Sequence, residues 1–429
     1  MEQYFIQFKR RDGKFAVYDS ITKNISIYQK SDLRAMPKRH IFDMSTTFGL
    51  KATEKDLIKY AELFEKWANQ LKNNDIYSID WVKFYLNKNV VIQTFKNLSN
   101  NESDLYDRID ATEAKWTNSC YNGGITYVSP GVYKNSYGYD YSFFYPKILA
   151  SAHFKIPTKK GQEQILTEIP AKYNSIQLGY YKVKITSDHK DIKKIFAFSK
   201  EHTYTHTSLM FALFNKDAYN INIELIQNGK PNAYIFSEYI TGDKLFGKWF
   251  ETISKLKAAF PDNKLIKVLA SSLWGQLTAR NKIYKTEAEI ETENLDVGFE
   301  NRYKFLEMKF YREREVYQIL DTENEFKYNI RLVSFLTAYG RNKAARLAQK
   351  DIDHVARIFT DGIAFDRPQI FDKVADRILD ISSIHPEDKT TGFLYFVNNK
   401  VYTNFTEKTK ILKSTINKIK SSHIRLCIP

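Results

Sequence analysis

The chain has 429 residues, of which 43% are hydrophobic and 15% aromatic, so it is neither disordered nor small enough for a single core; two or three subdomains are expected. A formal charge of +15 suits a polyanionic partner, either nucleic acid or an anionic membrane face, and no apolar run approaches the ~20 residues of a membrane span, which disfavours the membrane. Cys120 and Cys427 are too few for a disulfide framework or a zinc site, and Met-Glu-Gln-Tyr-Phe opens no secretory signal, so a reducing, cytoplasmic setting without secretion is expected.

Residues 3–29 read as a meander. Apolar strands around Phe5 and Val17 flank Asp12-Gly13, a strong hairpin signal, and Ile25 to Tyr28 forms a third strand. Residues 53–72 read as a helix, with Thr53 and Asp56 as a capping box and Leu57, Tyr60, Ala61, Phe64, Trp67, Ala68 and Leu71 on one core-facing side. Residues 97–115 are polar and mark a boundary. Tyr121-Asn122-Gly123-Gly124 follows; paired glycines allow close approach of another chain or a phosphate, though such a pair often marks only a turn.

Residues 137–149 form an aromatic run with one carboxylate, Asp140. Pro146 biases Tyr145 away from helix, so a strand ending there is expected. An acid at the end of an apolar strand calls for a cationic partner, either a metal ion or, less specifically, hydrogen-bond donors in a turn. Residues 151–243 mix short aromatic strands with His202 and His206. These two could share a helix face, but the Glu of a zinc-hydrolase motif is absent, so they read as surface or core histidines. Residues 244–285 read as a basic helical hairpin broken at Pro261-Asp262-Asn263, with Lys255, Lys257, Lys264 and Lys267 either solvated or reaching phosphate.

Glu287, Glu289, Glu291 and Glu293 alternate before Arg302, Lys304, Lys309, Arg312 and Arg314, which reads as an extended two-stranded excursion over 286–330. A helix covers 331–350. Residues 354–366 form an apolar hairpin about Asp361-Gly362. Strands at 393–397 and 400–402 precede a short basic helix, 406–421.

Taken together, these segments resemble the polymerase half of family B DNA polymerases, in particular the protein-primed viral and plasmid type. Asp140, Tyr145 and Pro146 match the first palm motif, Asp-x-x-Ser-Leu-Tyr-Pro, with Phe143 and Phe144 replacing Ser and Leu. Lys267, Ser272 and Gly275 match the fingers motif Lys-x-x-x-Asn-Ser-x-Tyr-Gly, with Ser271 for Asn and Trp274 for Tyr. Phe359-Thr360-Asp361-Gly362 resembles the second palm motif, Asp-Thr-Asp-Ser. Lys400-Val401-Tyr402 is similar to Lys-x-Tyr, and Tyr121 to Gly124 to Tyr-x-Gly-Gly.

The resemblance implies an α+β right-hand polymerase with an antiparallel palm sheet, helical fingers, a reduced thumb and a small N-terminal α+β domain. It divides the chain into an N-terminal domain (1–115), palm (116–150 and 331–402), an insertion resembling the terminal-protein region (151–243), fingers (244–285), a second insertion (286–330) and thumb (403–429). It implies two Mg²⁺ ions, replaceable by Mn²⁺, on Asp140, Asp361 and the carbonyl of Tyr141, about 3.5–4 Å apart. Lys267, Lys255 and Lys400 would contact the nucleotide or primer end, Tyr145 would act as the sugar gate, and Trp274 would stack on the nascent pair. Tyr121, Gly123, Gly124, Thr360 and Tyr402 would touch DNA.

The implied partners are a DNA template–primer, deoxynucleotides, and a terminal protein or a separate exonuclease or processivity subunit, in a host cytoplasm or nucleus if the source is viral. Three departures stand out. No Asp-x-Glu exonuclease motif lies in 1–115, twenty-seven residues follow Tyr402, and Phe359 replaces an acid. The last favours an alternative, a catalytically degenerate DNA-binding subunit of a replication complex.

Overall fold

The computed structural model describes residues 5–9, 14–29, 41–43, 54–82, 87–99, 106–129, 131–299, 301–311, 314–369, 384–386, 390–397 and 400–403. Strands β1 (Phe5–Lys9), β2 (Phe15–Asp19), β3 (Ile25–Tyr28) and β4 (Ile41–Asp43) form a sheet in the order β3-β2-β1-β4, antiparallel except for the β1–β4 pair. The meander is as the alternating pattern predicts; the Asp12-Gly13 turn and the Thr53–Asp56 cap lie outside the described residues or side chains. Helix α1 (Glu54–Lys72) buries Ala61, Phe64, Trp67, Ala68 and Leu71, the predicted stripe, and α2 (Asn87–Leu98) buries Val90, Val91 and Phe95. Next come α3 (Ala111–Ser119), β5 (Thr126–Val128), β6 (Gly131–Tyr141) and α4 (Phe144–Leu149).

The expectation of a strand running to Pro146 is corrected here. β6 stops at Tyr141, and Pro146 lies in the first turn of α4. The first turn of a helix has no intrahelical partner for its N–H groups, so a proline there breaks no bond. Phe143, the residue that turns the chain into α4, has φ 52°, the left-handed region that costs a bulky side chain energy.

A mixed block follows. β7 (Lys155–Pro157) pairs with β13 (Tyr239–Thr241), and β8 (Gln162–Gln164), β9 (Gly179–Ser187), β10 (Thr203–Thr205), β11 (Ile221–Leu225) and β12 (Ala233–Ile235) form a second sheet around β9. Helices α5 (Ile192–Ile195) and α6 (His206–Phe214) lie in this block. His202 is exposed in the turn before β10, while His206 starts α6 and is buried, its burial pulling the imidazole down to about 3. The two do not share a helix face, and His206 stays neutral as a core residue.

Helices α7 (Gly242–Ala259) and α8 (Lys264–Leu277) make the predicted hairpin. Asn263 caps α8 by accepting from the Leu265 N–H (3.1 Å) and donates to the Trp67 carbonyl (2.9 Å), and Phe95 stacks on Phe246 at 5.0 Å. These contacts seat the N-terminal helices on the hairpin. Beyond it, β14 (Lys282–Lys285), β15 (Val297–Gly298), β16 (Tyr303–Tyr311) and β17 (Arg314–Asp321) form a four-stranded sheet, wider than the two strands expected. The alternating glutamates are also not extended. Glu287, Glu289 and Glu291 lie in α9 (Glu287–Thr292), and the Thr286–Glu289 capping box converts an apparent two-residue period into a helix start.

Helix α10 (Val333–Gln349) crosses the centre of the molecule, burying Phe335, Leu336, Ala344, Ala345, Leu347 and Ala348. The last sheet collects β18 (Val355–Phe359), β19 (Gly362–Phe365), β20 (Ile384–Pro386), β21 (Thr390–Val397) and β22 (Lys400–Thr403) in the order β22-β21-β6-β19-β18-β5, with β20 also on β6. All its pairs are antiparallel, so strands far apart in the chain share one surface. The helix expected at 406–421 and Cys427 lie outside the described residues, and Cys120 is buried. Among the described residues no helix is long and apolar enough to cross a membrane.

One buried ion pair ties the parts together. Arg331 meets Glu113 of α3 in a two-pronged contact, Nε to Oε1 at 2.5 Å and Nη2 to Oε2 at 2.9 Å, and Nη1 donates to the carbonyls of Asp107 and Thr158. Both side chains are almost fully buried, at 1% and 0% exposure, so each charge depends on the other. Arg331→Met should therefore destabilise the fold by about 3–5 kcal/mol in urea titration, and adding Glu113→Leu should recover most of that loss.

Candidate active site

The central sheet brings Asp140, near the end of β6, beside Asp361, in the turn that joins β18 to β19. Asp140 stands opposite Gly362 in the β6–β19 register, and the Tyr141 N–H donates to the Asp361 carbonyl at 3.2 Å. Both acids line one cleft of about 210 Å³, with Gly138, Arg357, Phe359, Gly362, Ile363 and Ala364. The two acids stand 221 positions apart in the chain, and the pairing of β19 with β6 brings their backbones together. Asp361 is half-buried, and burial lifts its carboxyl above the usual range; a backbone N–H and the nearby charge of Lys267 offset part of that lift. Exposed Lys267 on α8 therefore lies within electrostatic reach of Asp361.

The turn before Asp361 is held from two sides. Thr360 has φ 61°, an outlier for a β-branched residue. Its N–H donates to the Ile125 carbonyl at 2.9 Å. Gly124 touches it so closely that a Cβ there would lie 2.8 Å from the Thr360 side chain. Of the two glycines, Gly124 is thus the one whose lack of a side chain is required; a Cβ at Gly123 would meet nothing. Strain of this kind costs ~1–3 kcal/mol and persists only where neighbours enforce it.

Tyr145 stacks near Trp274 of α8, with ring centroids 5.2 Å apart, and near Phe144 at 5.1 Å. Burial and the charge of Asp361 push its phenol up to about 12, so it stays protonated. Helix α10 passes so close that a Cβ on Gly340 would come within 3.1 Å of the Tyr145 ring. Arg341, next in the chain, is buried and donates from Nη1 to the carbonyls of Asn122 (2.5 Å) and Gly123 (2.9 Å) and from Nη2 to Ser208 Oγ (3.3 Å). Its guanidinium is pulled down to about 10 by burial, against the opposing pull of Tyr145, Cys120 and Tyr121.

The structure thus gathers Asp140, Tyr141, Tyr145, Lys267, Trp274, Gly124, Thr360 and Asp361, with Tyr121, 44% exposed, within electrostatic reach of Tyr145. Lys255 stands apart on α7 in an exposed ion pair with Glu251 at 2.7 Å. Lys400 and Tyr402 are also separated from the acids. β22 pairs only through β21, and Lys400 opposite Val397 falls at the Gly131 end of β6, on the order of 30 Å along the strand from Asp140. The resemblance puts Lys400 at the primer end or triphosphate, and the register sets its backbone at the opposite end of β6 from Asp140; a motif in sequence order does not set the row of the sheet in which it lands.

Arg341 and Arg357 are site residues that the sequence reading passes over. Arg341 sits in a helix that scans as simply basic, and the only cue is the adjacent Gly340 within an otherwise apolar stretch.

The donor set suits a hard cation. Two carboxylates lining one cleft could supply oxygen ligands of the number Mg²⁺ takes when phosphates complete its shell; among the described residues no group of three or more His, Cys, Asp or Glu side chains gathers as a metal cluster. Because burial raises the Asp361 carboxyl, its stabilising contribution is greatest below the ordinary value of 3.8 and is lost as pH rises through the raised one. Asp361→Asn should accordingly raise the melting temperature at pH 8, with the gain shrinking toward pH 3.

No family model matches the chain, and no curated protein sequence matches it. Among solved structures it is similar to phi29 DNA polymerase complexed with primer-template DNA in the post-translocation binary complex (TM-score 0.53, 12% identity, 94% of this chain and 75% of that chain). It is also similar to the same polymerase in the ternary complex with primer-template and incoming nucleotide (TM-score 0.52, 14% identity, 93% and 74%) and with single-stranded DNA (TM-score 0.51, 13% identity, 94% and 75%). At these identities the likeness is one of fold, and the chain has a DNA-polymerase-like fold.

Proposed function

We propose that this chain is a DNA-directed DNA polymerase that adds deoxynucleotides to a primer 3′-hydroxyl. The observation that carries the reading is the register that sets Asp140 beside Gly362, so that Asp140 on β6 and Asp361 in the β18–β19 turn line one cleft, with Lys267 and Tyr145 within electrostatic reach of Asp361 and Trp274 against Tyr145. The likeness of fold to a polymerase complexed with primer-template DNA supports it.

Asp140 and Asp361 would hold Mg²⁺, with the Tyr141 carbonyl as a third ligand. Bound there, the metal would supply Lewis-acid stabilisation of the transferring phosphoryl group. The chain's own groups do the rest. Lys267 presents a mobile positive charge to the triphosphate of the incoming nucleotide. Tyr145, kept protonated, fills the space that a ribose 2′-hydroxyl would need, and Trp274 packs behind it and offers an indole face to the new base pair. Arg341 holds the 121–124 segment through the Asn122 and Gly123 carbonyls, which saves part of the orientational cost of assembling the site at each addition.

In this reading residues 116–150 and 331–402 are palm, 244–285 fingers, 151–243 and 286–330 insertions, and 1–115 a separate N-terminal domain; the reduced thumb assigned to 403–429 lies almost wholly outside the described residues. A protein primer remains part of the proposal on the strength of the Tyr-x-Gly-Gly match. Phe359 at the position of a family acid favours a second reading, a DNA-binding subunit without turnover.

Primer extension on a labelled primer–template with deoxynucleotides and Mg²⁺ separates the two. Asp140→Asn and Asp361→Asn should each lower extension about a thousandfold, roughly 4 kcal/mol of transition-state stabilisation. Extension that survives both substitutions, or none by the wild-type chain alongside tight DNA binding, overturns the catalytic reading. Tyr145→Ala should narrow the preference for deoxy- over ribonucleotides by about tenfold, ~1.4 kcal/mol, in competition assays.

A further inference from the structure

The cleft that holds the two acids has another wall. Arg357 and Phe359 are two apart on β18, so both side chains leave the same face of the sheet, and both line the cleft with Asp140 and Asp361. The Arg357 guanidinium lies over the Phe359 ring, 5.1 Å from its centroid. Stacking of this kind fixes the plane of a guanidinium, a group whose paired N–H donors grip phosphate oxygens. The Phe359 ring is 48% exposed.

The floor between this pair and the acids is glycine. A Cβ at Gly362 would meet Asp140 Oδ1 at 3.7 Å and the Phe359 carbonyl at 3.8 Å, ordinary contacts, so a side chain is tolerated there sterically but would fill the space. The cleft volume of about 210 Å³ is below the ~300 Å³ at which whole-ligand pockets begin, and suits one sugar–phosphate unit. A phosphodiester next to two carboxylates needs a cation between them, and Arg357 is a cation that cannot be deprotonated at working pH.

We propose that Arg357 and Phe359 form a subsite for the terminal nucleotide of the strand to be extended, with the guanidinium on its phosphodiester and the aromatic ring against its sugar. The subsite rests on the polymerase reading for its choice of strand. It gives Phe359, which replaces an acid of the second palm motif, and Arg357, two residues before it, a shared task. An acid at 359 would add a third negative charge to the cleft, whereas the aromatic ring supports the arginine.

The test is a fluorescence-anisotropy titration of the full chain with a labelled primer–template, without nucleotides. One duplex is natural and the other carries a neutral methylphosphonate at the primer-terminal linkage. The wild-type chain should bind the natural duplex about tenfold more tightly, the worth of one charge-assisted hydrogen bond. Arg357→Gln should bind both alike, at the weaker level, and Arg357→Lys should keep part of the preference. Phe359→Leu should weaken the natural duplex and shrink the preference, because the arginine loses its support.

Equal affinity of the wild-type chain for both duplexes overturns the subsite, and that arm needs no variant to fold. An undiminished preference in a folded Arg357→Gln chain overturns it as well. Binding and turnover are read separately, so the two proposals fail separately. A chain with the expected preference that extends no primer keeps the subsite and loses the polymerase reading; a chain that extends primers but ignores the methylphosphonate does the reverse.

Discussion

The antiparallel register between β6 and β19 is the constraint on which the site depends. Asp140 opposite Gly362 sets the β18–β19 turn, and Asp361 in it, at the mouth of the cleft that Asp140 lines. Side chains alternate between the faces of a sheet, so a slip of one residue would send Asp140 to the other face. The register is secured by apolar burial rather than by the acids. Ile363 and Phe365 on β19 are buried, as are Ile358 and Val355 on β18, and a slip would expose that layer to water. The hydrophobic strands thus hold in place a pair of charges that repel each other.

Strain concentrates around the same point. Phe143 and Thr360, both with positive φ, flank the acids in the chain, three positions after Asp140 and one before Asp361. Neither conformation is one that its side chain favours. Each is enforced from outside: the Ile125 carbonyl and the Gly124 contact hold Thr360, and the Phe143 ring packs edge-on against Phe250 of α7 at 6.1 Å. Arg341 extends this bracing to the 121–124 turn and to α6 through Ser208. Separate stretches of chain are therefore braced around the cleft by groups from other elements. Such bracing holds side chains in a geometry they would not choose on their own.

The cleft also shows how one site can absorb drift in its motifs. Trp274 stands where the resemblance expects Tyr and still packs against Tyr145, because the demand there is for a flat apolar ring. Phe359 stands where an acid is expected, and the adjacent Arg357 accompanies it as a stacked pair. Relative to the motif, the β18 side of the cleft lacks one negative charge and carries the Arg357 cation. That shift favours a phosphate-bearing ligand over a further metal ligand on the β18 side.

Local pattern was enough to read a good deal of this chain. The apolar period of α1, the break at Pro261-Asp262-Asn263, the hairpin about Asp361-Gly362 and the meander from Phe5 to Tyr28 each depend on forces acting within a dozen residues, so they were legible. The two acids could be picked out because charge in an apolar strand is costly wherever it occurs. What local pattern could not supply was anything set by distant partners. Pro146 scanned as a strand end, yet the closeness of Gly340 on α10 shows that the first turn of α4 is packed from across the molecule. The glutamates at 287–291 alternate like a strand, yet the Thr286 capping box starts a helix there. Arg341 looked like one more basic residue on a helix until the fold wrapped carbonyls around it. Lys400 matched a motif, but the row of the sheet it occupies was decided by how β21 pairs with β6. Residue types and their order determined which groups are costly to bury. Only the tertiary structure decided which of them meet, because strand register and helix crossing are set by the summed packing of side chains that no short window contains.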